Sequence, residues 1–72
     1  MEMKEGKDKI EFFYKAKQAV HIVTNENKYF NGVICDITET YFVIDDRYWG
    51  MTPLVYSEIR TAERYISKEE ER

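Results

Sequence analysis

Few side chains in this sequence of 72 residues could do chemistry on a bound metal or substrate. The chain has one histidine, His21, and one cysteine, Cys35, with Asp36 directly after the cysteine. Zinc sites use His and Cys ligands in pairs a few residues apart, and these residues lack that paired short spacing. They indicate a structural role, so the sequence predicts no metal site and no cofactor.

Carboxylates occur in two close pairs, Asp36 with Glu39 and Asp45 with Asp46. A carboxylate pair can carry out acid–base catalysis where a pocket shifts its pKa values. Both pairs fall in segments with the composition of turns or loops, and no nucleophile with a neighbouring base can be named. We interpret them as turn and loop residues and expect that the protein is not an enzyme.

A third group of side chains, Arg47, Tyr48 and Trp49, is suited to binding rather than to catalysis. Tyr and Trp beside Arg in a polar segment have the composition of protein-interaction hot spots. This segment predicts a loop that binds a partner protein. The alternative is that Trp49 folds back onto its own domain.

The overall composition bounds the class of protein. Hydrophobic residues make up 43% of the chain, as in a folded domain, so residues 1–72 are expected to form one small domain. The net charge of −3 argues against a broad electrostatic surface for nucleic acid. A single cysteine excludes an internal disulfide, so association between copies is the expected means of stabilising so small a core.

The expected compartment follows from features that the sequence lacks. No apolar run approaches the roughly 18 residues that span a bilayer, so no membrane partner is expected. The first residues lack the apolar stretch of a secretory signal, and a free thiol is typical of a reducing compartment. The sequence therefore predicts a cytoplasmic protein.

One helix is predicted near the start of the chain. Asp8 and Glu11 match a capping box, which predicts a helix over about 9–17. Ile10 and Phe13 fall on one face of it, so the helix is expected to cover an apolar surface. It would cap the mouth of a barrel, or alternatively bind a partner.

The rest of the chain is mainly β. Runs rich in β-branched and aromatic residues predict five antiparallel strands within about 19–66, at 19–24, 29–37, 41–44, 54–56 and 59–66. Gly32 in the middle of the second strand predicts a sharp bend, and so a small, strongly bent barrel. A loop is expected over 45–53, ending at Pro53. Residues 67–72 are predicted as a charged tail.

The last strand is expected to alternate strictly between two faces. Ile59, Thr61 and Glu63 would share one face, and Arg60, Ala62 and Arg64 the other.

The chain's pattern resembles the Sm-like family, which includes the bacterial RNA chaperones. The resemblance lies in the order of one helix and five short strands, with Phe30, Gly32 and Ile34 in the bent second strand. The resemblance covers roughly residues 13–65, and residues 54–59 look like the family's second motif. It implies an SH3-like barrel of the Sm type and a closed homo-oligomeric ring of about five to seven copies. The expected ring interface lies on the edges of the fourth and fifth strands, at Leu54, Val55, Tyr56, Ile59 and Thr61.

The residues with which the family binds RNA are replaced in this chain. Sm-type sites place Asp and Asn between strands two and three and Arg-Gly between strands four and five, where the chaperone branch has Tyr-Lys-His. This chain has Thr38-Glu39-Thr40 in the first loop and Ser57-Glu58 in the second. Because like charges repel phosphate, the two glutamates predict weak or missing uridine binding in the pore.

Any RNA contact is expected at the same two loops and on the helix. Tyr41 or Tyr56 could stack a base, while hydroxyl groups nearby could donate hydrogen bonds. The candidate residues are Thr38, Glu39, Thr40, Tyr41, Tyr56 and Ser57 in the loops, with Lys9, Lys15 and Lys17 on the helix.

Two functions therefore stay open from the sequence. The first is a ring-forming scaffold that binds single-stranded RNA, with weak or atypical pore binding. The second is a protein assembly module without RNA, which would use the loop around Trp49 or the helix.

Overall fold

The computed structural model describes the backbone of residues 2–66 and the side chains of residues 6–66. The elements along the chain are α1 (Glu2–Ala16), β1 (Ala19–Thr24), β2 (Tyr29–Ile37), β3 (Tyr41–Asp46), β4 (Gly50–Val55), a 3-10 turn (Tyr56–Glu58) and β5 (Ile59–Arg64). The predicted mainly β architecture, a helix followed by five antiparallel strands, is confirmed. The predicted charged tail, 67–72, lies outside the described residues.

The strands form one sheet in the order β4-β3-β2-β1-β5, and every neighbouring pair is antiparallel. The sheet bends around a core whose most deeply buried side chains are Val20, Ile22, Phe42 and Ile44. The helix α1 covers this core with Ile10 and Phe13. Its apolar face therefore completes the domain from one side.

The bend in β2 depends on a close approach between two backbones. Gly32 pairs with Asp46 of β3. A Cβ atom built on Gly32 would overlap the carbonyl oxygen of Asp45 and lie 2.7 Å from its carbonyl carbon. Only glycine, which has no side chain, allows the strands to pack this closely.

A β-bulge at Cys35 adds to the bend. Cys35 is an extra residue in β2, because its neighbours Ile34 and Asp36 pair with adjacent residues of β3. A bulge bends and twists its strand. The sequence interpretation assigned the whole bend to Gly32 and missed this second cause.

A second bulge, at Arg60, changes the pattern of β5. Thr61 and Ile59 pair with adjacent residues of β1, so Arg60 is the extra residue. As a result Ile59 and Ala62 both pack on the core, while Arg60 and Thr61 are exposed. The predicted strict alternation, with Ile59 and Thr61 on one face, was wrong because a bulge shifts the side chains that follow it.

The helix starts well before its predicted boundary at residue 9. It begins at Glu2, and Asp8 lies inside it, so the predicted capping box was wrong. The helix also runs through Gly6. A single glycine among good helix formers is nevertheless tolerated at a cost of about 1 kcal/mol.

The helix ends in a left-handed residue, Lys17, with φ of 55°. The Lys17 N–H donates to the Tyr14 carbonyl oxygen at 3.2 Å, and the Gln18 N–H to that of Phe13 at 3.1 Å. These two bonds satisfy carbonyl groups of the last turn, as in the Schellman motif.

The segment predicted as a loop over 45–53 is largely strand. Only residues 47–49 form the turn between β3 and β4. Pro53 lies inside β4, where an edge strand tolerates a missing N–H donor on its free side. Tyr56 belongs to the 3-10 turn rather than to β4, and β5 ends at Arg64 rather than at residue 66.

Replacing Gly32 by Ala is expected to lower the free energy of unfolding by about 2–3 kcal/mol, because the new Cβ must push the β2 and β3 backbones apart. Chemical denaturation followed by far-UV circular dichroism measures this change. Gly6→Ala is the matched control: its Cβ meets nothing within 4 Å, and Ala is favoured in a helix by about 0.5–1 kcal/mol. Equal stability of Gly32→Ala and wild type would contradict the close approach.

Candidate functional site

The two loops predicted to face a pore lie against each other. The first loop, residues 38–40, joins β2 to β3, and the second is the 3-10 turn Tyr56–Glu58. The Tyr56 N–H donates to the Thr40 carbonyl oxygen at 3.2 Å, and the Tyr56 hydroxyl donates to the Thr38 carbonyl oxygen at 2.8 Å. The fold therefore brings together the loop residues that the sequence assigned to one RNA site.

The hydroxyl group of Thr38 is fully used within its own loop. It donates to the Tyr41 carbonyl oxygen at 2.9 Å and accepts from the N–H groups of Thr40, at 3.2 Å, and Tyr41, at 3.0 Å. A hydroxyl has one donor and two acceptor positions, so none is left for a nucleotide. The Thr38 hydroxyl thus stabilises the loop and is not available to bind a ligand.

Tyr56, predicted to stack a base, is part of the core. It is 7% exposed, and its ring centroid lies 5.5 Å from that of Phe42. Burial, with a smaller effect of the Glu11 charge, raises the pKa of the Tyr56 hydroxyl. The remaining members of the predicted loop set are accessible: Glu39, Thr40, Tyr41 and Ser57.

The lysines predicted to attract RNA are partly compensated by acidic neighbours. Lys9 lies 3.0 Å from the Glu63 carboxylate of β5, and Lys15 lies 4.0 Å from that of Glu11. Lys17 is exposed at the end of the helix. Because ion pairs cancel charge at a distance, α1 presents less positive potential than its lysines suggest.

A surface that the sequence interpretation missed lies on the outer face of the sheet. The His21 Nδ1 atom hydrogen bonds with the side-chain oxygen of Asn31, which lies opposite in β2. The His21 ring stacks on Tyr29, with centroids 5.8 Å apart, and Tyr29 is 59% exposed. We call His21, Tyr29 and Asn31 the outer-face cluster. Beside it, Arg47 donates from Nη1 to the Tyr65 hydroxyl at 3.1 Å.

A sequence signal for the outer-face cluster did exist. The strands β1 and β2 alternate, with Val20, Ile22 and Phe30 buried, so the intervening residues must share the opposite face. The register between the two strands was the missing information. Without it, His21 and Asn31 could not be placed side by side.

The Asp46 carboxylate organises the turn between β3 and β4. Its Oδ2 accepts from the N–H groups of Tyr48, at 2.8 Å, and Trp49, at 2.9 Å, and its Oδ1 accepts from the Asn31 N–H at 2.8 Å. Tyr48 is 92% exposed and Trp49 is 74% exposed, so Trp49 does not fold back onto its own domain. We call residues 47–49 the aromatic turn.

Asp46 is itself buried beneath this turn. Burial tends to raise the pKa of its carboxyl group, but the N–H groups of Trp49, Asn31 and Tyr48 and the charge of Arg47 hold the pKa below the ordinary 3.8. Because the folded-state pKa is lowered, ionised Asp46 stabilises the fold above about pH 3.8. That contribution is lost as the pH falls through the lower, folded-state pKa.

The strand β4 is one free edge of the sheet, since within the described residues it pairs only with β3. The Tyr56 N–H points toward β3, and backbone direction alternates along a strand, so the Val55 N–H points to the free side. Met51, Pro53 and Val55 form an exposed apolar row on this strand. Such an edge is a template for pairing with another chain.

The strand β5 is the other free edge in the described part of the chain. The Tyr65 N–H donates to the Ala19 carbonyl oxygen at 2.9 Å, so by alternation the N–H groups of Ala62 and Arg64 point to the free side. Of the predicted interface residues, Val55, Ile59 and Thr61 are exposed or half-buried, whereas Leu54 and Tyr56 belong to the core.

Metal-ligating side chains are scattered rather than clustered. Among the described residues, no three His, Cys, Asp or Glu side chains lie close enough to hold a metal ion. Cys35 is exposed and His21 is bonded within the outer-face cluster. In the same part of the chain, no helix is both long and apolar enough to cross a membrane.

Comparison with solved structures identifies the fold. The crystal structure of the pleiotropic translational regulator Hfq matches with a TM-score of 0.69 at 14% identity, covering 78% of this chain and 92% of that one. An Hfq protein from Anabaena sp. matches with a TM-score of 0.67 at 17% identity, covering 81% of this chain and 92% of that one. No protein-family model and no curated protein matches the sequence.

A third match comes from a structural study of Dcp1:Dcp2 mRNA decapping complex activation by Edc3 and Scd6. Its TM-score is 0.66 at 16% identity, covering 85% of this chain and 64% of that one. At these identities the comparisons show the fold. The chain has the Sm-like fold that its sequence predicted.

Replacing Asp46 by Asn is expected to lower the free energy of unfolding at neutral pH by about 1–3 kcal/mol, because one amide oxygen must serve three N–H donors. The loss of stability on acidification below about pH 3.8 should also be smaller in this variant than in wild type. Denaturation by urea across an acid series, followed by circular dichroism, measures both effects. Asp45→Asn is the control, because Asp45 is exposed and its replacement should change the free energy of unfolding little. If Asp46→Asn were as stable as wild type, the stabilising role of the Asp46 hydrogen bonds would be contradicted.

Proposed function

We propose that this chain is an Sm-like scaffold that assembles head to tail into a closed ring of identical copies and binds single-stranded RNA weakly. It acts by binding rather than by catalysis. The exposed free thiol of Cys35 suits the cytoplasm, where thiols stay reduced.

The observation that carries this proposal is the pair of free edges on one sheet. β4 and β5 are the outer strands among the described residues, and both present accessible backbone groups. Pairing the β4 edge of one copy with the β5 edge of the next is a head-to-tail contact, and such contacts form rings when the rotation closes. The resemblance to Sm-like proteins favours about five to seven copies per ring.

The size of the domain supports assembly as well. A chain of 72 residues with a single cysteine buries a small core and cannot add a disulfide. Covering the apolar row of Met51, Pro53 and Val55 would remove exposed hydrophobic surface from water. Assembly would therefore stabilise each copy.

The outer-face cluster is the surface that we assign to RNA. An accessible aromatic ring for stacking, beside an amide with donor and acceptor groups, is the combination that single-strand binders use. Tyr29 offers the ring and Asn31 the amide, with the Arg47 guanidinium nearby. The exposed Glu39 and Glu58 and the compensated lysines of α1 account for weak binding.

A second candidate function is assembly with another protein through the aromatic turn, without RNA. The observation that favours it is the exposure of Tyr48 and Trp49 on a turn whose backbone is held by Asp46. Exposed Tyr and Trp side chains have few rotatable bonds, so they lose little conformational entropy on binding and are typical anchors of protein interfaces.

Replacing Val55 by Pro is expected to convert the assembled protein to monomers. Val55 has φ of −80°, which proline can adopt, and its N–H points to the free side, so the pairing of β4 with β3 is kept. Size-exclusion chromatography with light scattering at micromolar concentration measures the mass. Val55→Thr keeps the N–H and should stay assembled, whereas a monomeric wild type would contradict the ring.

Replacing Tyr29 by Ala is expected to weaken binding of fluorescently labelled oligo-uridine by about 5–150-fold, the range expected for loss of one stacked base. Anisotropy titrations at two salt concentrations measure this. A triple variant with Lys9, Lys15 and Lys17 each replaced by Gln should show a smaller salt dependence of RNA binding. The slope of log K against log salt should become less steep by at most about 2.

Tyr48→Ala is the control for these titrations, since Tyr48 is an exposed tyrosine outside the outer-face cluster. Equal losses in Tyr29→Ala and Tyr48→Ala would contradict the assignment of RNA to the cluster. Absence of binding by wild type even at low salt would contradict RNA binding and favour the second candidate.

A further inference from the structure

We propose that the two sheet edges recognise each other by charge, with Arg60 at the start of β5 in one copy contacting Glu58 beside the β4 edge of the next. The partner is a second copy of this chain. The inference rests on the proposed function, because it concerns the same head-to-tail contact. It supplies what backbone pairing alone lacks, namely a choice of partner and of edge.

The β4 side of this contact carries negative charge. A groove of about 330 Å³ beside β4 is lined by apolar Phe30 and Leu54 and by two glutamates, Glu26 and Glu58. Lys28 lies 3.6 Å from Glu26 and compensates it. Glu58 is exposed and makes no ion pair with the other described residues. It is the acidic group of this groove that is open to an incoming cation.

The β5 side carries positive charge. Arg60 and Arg64 are exposed, and neither makes an ion pair within the described part of the chain. Arg60 is the bulged residue of β5, and bulges commonly redirect a side chain at a sheet edge. Arg60 also lines the groove of about 530 Å³ that lies between β5 and α1, so a neighbouring strand can reach it.

The direction of the strands brings the two charges to the same end of the contact. β4 ends at Val55 and leads directly into the turn that ends with Glu58. If the antiparallel pattern of the sheet continues into the next copy, β5 of that copy starts at this end, with Arg60 close to its beginning. Arg64 then falls at the opposite end, beside the exposed Trp49, where a guanidinium can lie on the indole face.

The same charges disfavour one symmetric alternative. Pairing two β5 edges in antiparallel fashion would place Arg60 of one copy opposite Arg64 of the other. Like charges in contact at an interface cost free energy. Pairing two β4 edges in antiparallel fashion would leave the two Glu58 side chains at opposite ends of the contact, with no Arg60 beside either. The head-to-tail arrangement is therefore the one that joins Glu58 to Arg60. Since neither Arg60 nor Glu58 makes an ion pair with the other described residues, both are available to neighbours.

The test is a charge exchange at positions 58 and 60. Arg60→Glu and Glu58→Arg are each expected to raise the concentration needed for assembly by at least about tenfold, because each variant alone places like charges together. The double variant Glu58→Arg/Arg60→Glu restores opposite charges at every contact, whatever the number of copies, and should assemble near the wild-type concentration. Light scattering across a dilution series measures all three variants, and circular dichroism verifies that each variant is folded.

Lys15→Glu is the matched control, since it makes the same charge reversal at an exposed residue of α1 that belongs to neither edge strand, and it should assemble as wild type does. Assembly of Arg60→Glu at the wild-type concentration would overturn the charge pairing, and so would a double variant that folds but stays dissociated. In either case the ring itself would stand if wild type assembles. A monomeric wild type would instead overturn the proposed function, and the charge pairing with it.

Discussion

The close approach of β3 to Gly32 is the constraint on which the rest of this structure depends. A side chain at this position would overlap the Asp45 carbonyl group, and β2 could not then pair with both neighbours while bending around one core. The bulge at Cys35 continues the bend. A sheet bent in this way encloses a core with five short strands, yet its outer strands do not pair with each other in the described chain. Among the described strands, both edges stay free because the bent sheet does not close on itself.

The polar side chains with the best hydrogen-bond geometry support the scaffold rather than a ligand site. Thr38 closes its loop, Asp46 holds the aromatic turn, and Tyr56 ties the 3-10 turn to the first loop. The described groups that face solvent include the two backbone edges, the aromatic rings of Tyr29, Tyr48 and Trp49, and many charged side chains. Backbone edges and exposed aromatic rings are suited to contacts with extended chains and with other protein surfaces.

Most of the fold could be predicted from the sequence because its strands carry dense local signals. The bounds of β1 and β2 match the prediction, and the role of Gly32 follows from its place in a strand. The inclusion of Pro53 in β4 and the bulge at Arg60 could not be predicted, since each depends on which strand lies alongside. The candidate site was less predictable still. Tyr56 and Thr38 read as exposed loop residues, and only tertiary contacts assign them to the interior and to the loop's own hydrogen bonds.

The exposure of Trp49 decides what optical spectroscopy can report about this protein. It is the only tryptophan in the chain, and its indole lies on the aromatic turn, outside the core. An indole that already contacts water in the native state changes its emission little when the chain unfolds. Tryptophan fluorescence would therefore follow the melting of the core poorly. The same property makes it a local reporter, because emission that moves to shorter wavelength would indicate that another surface has covered the turn.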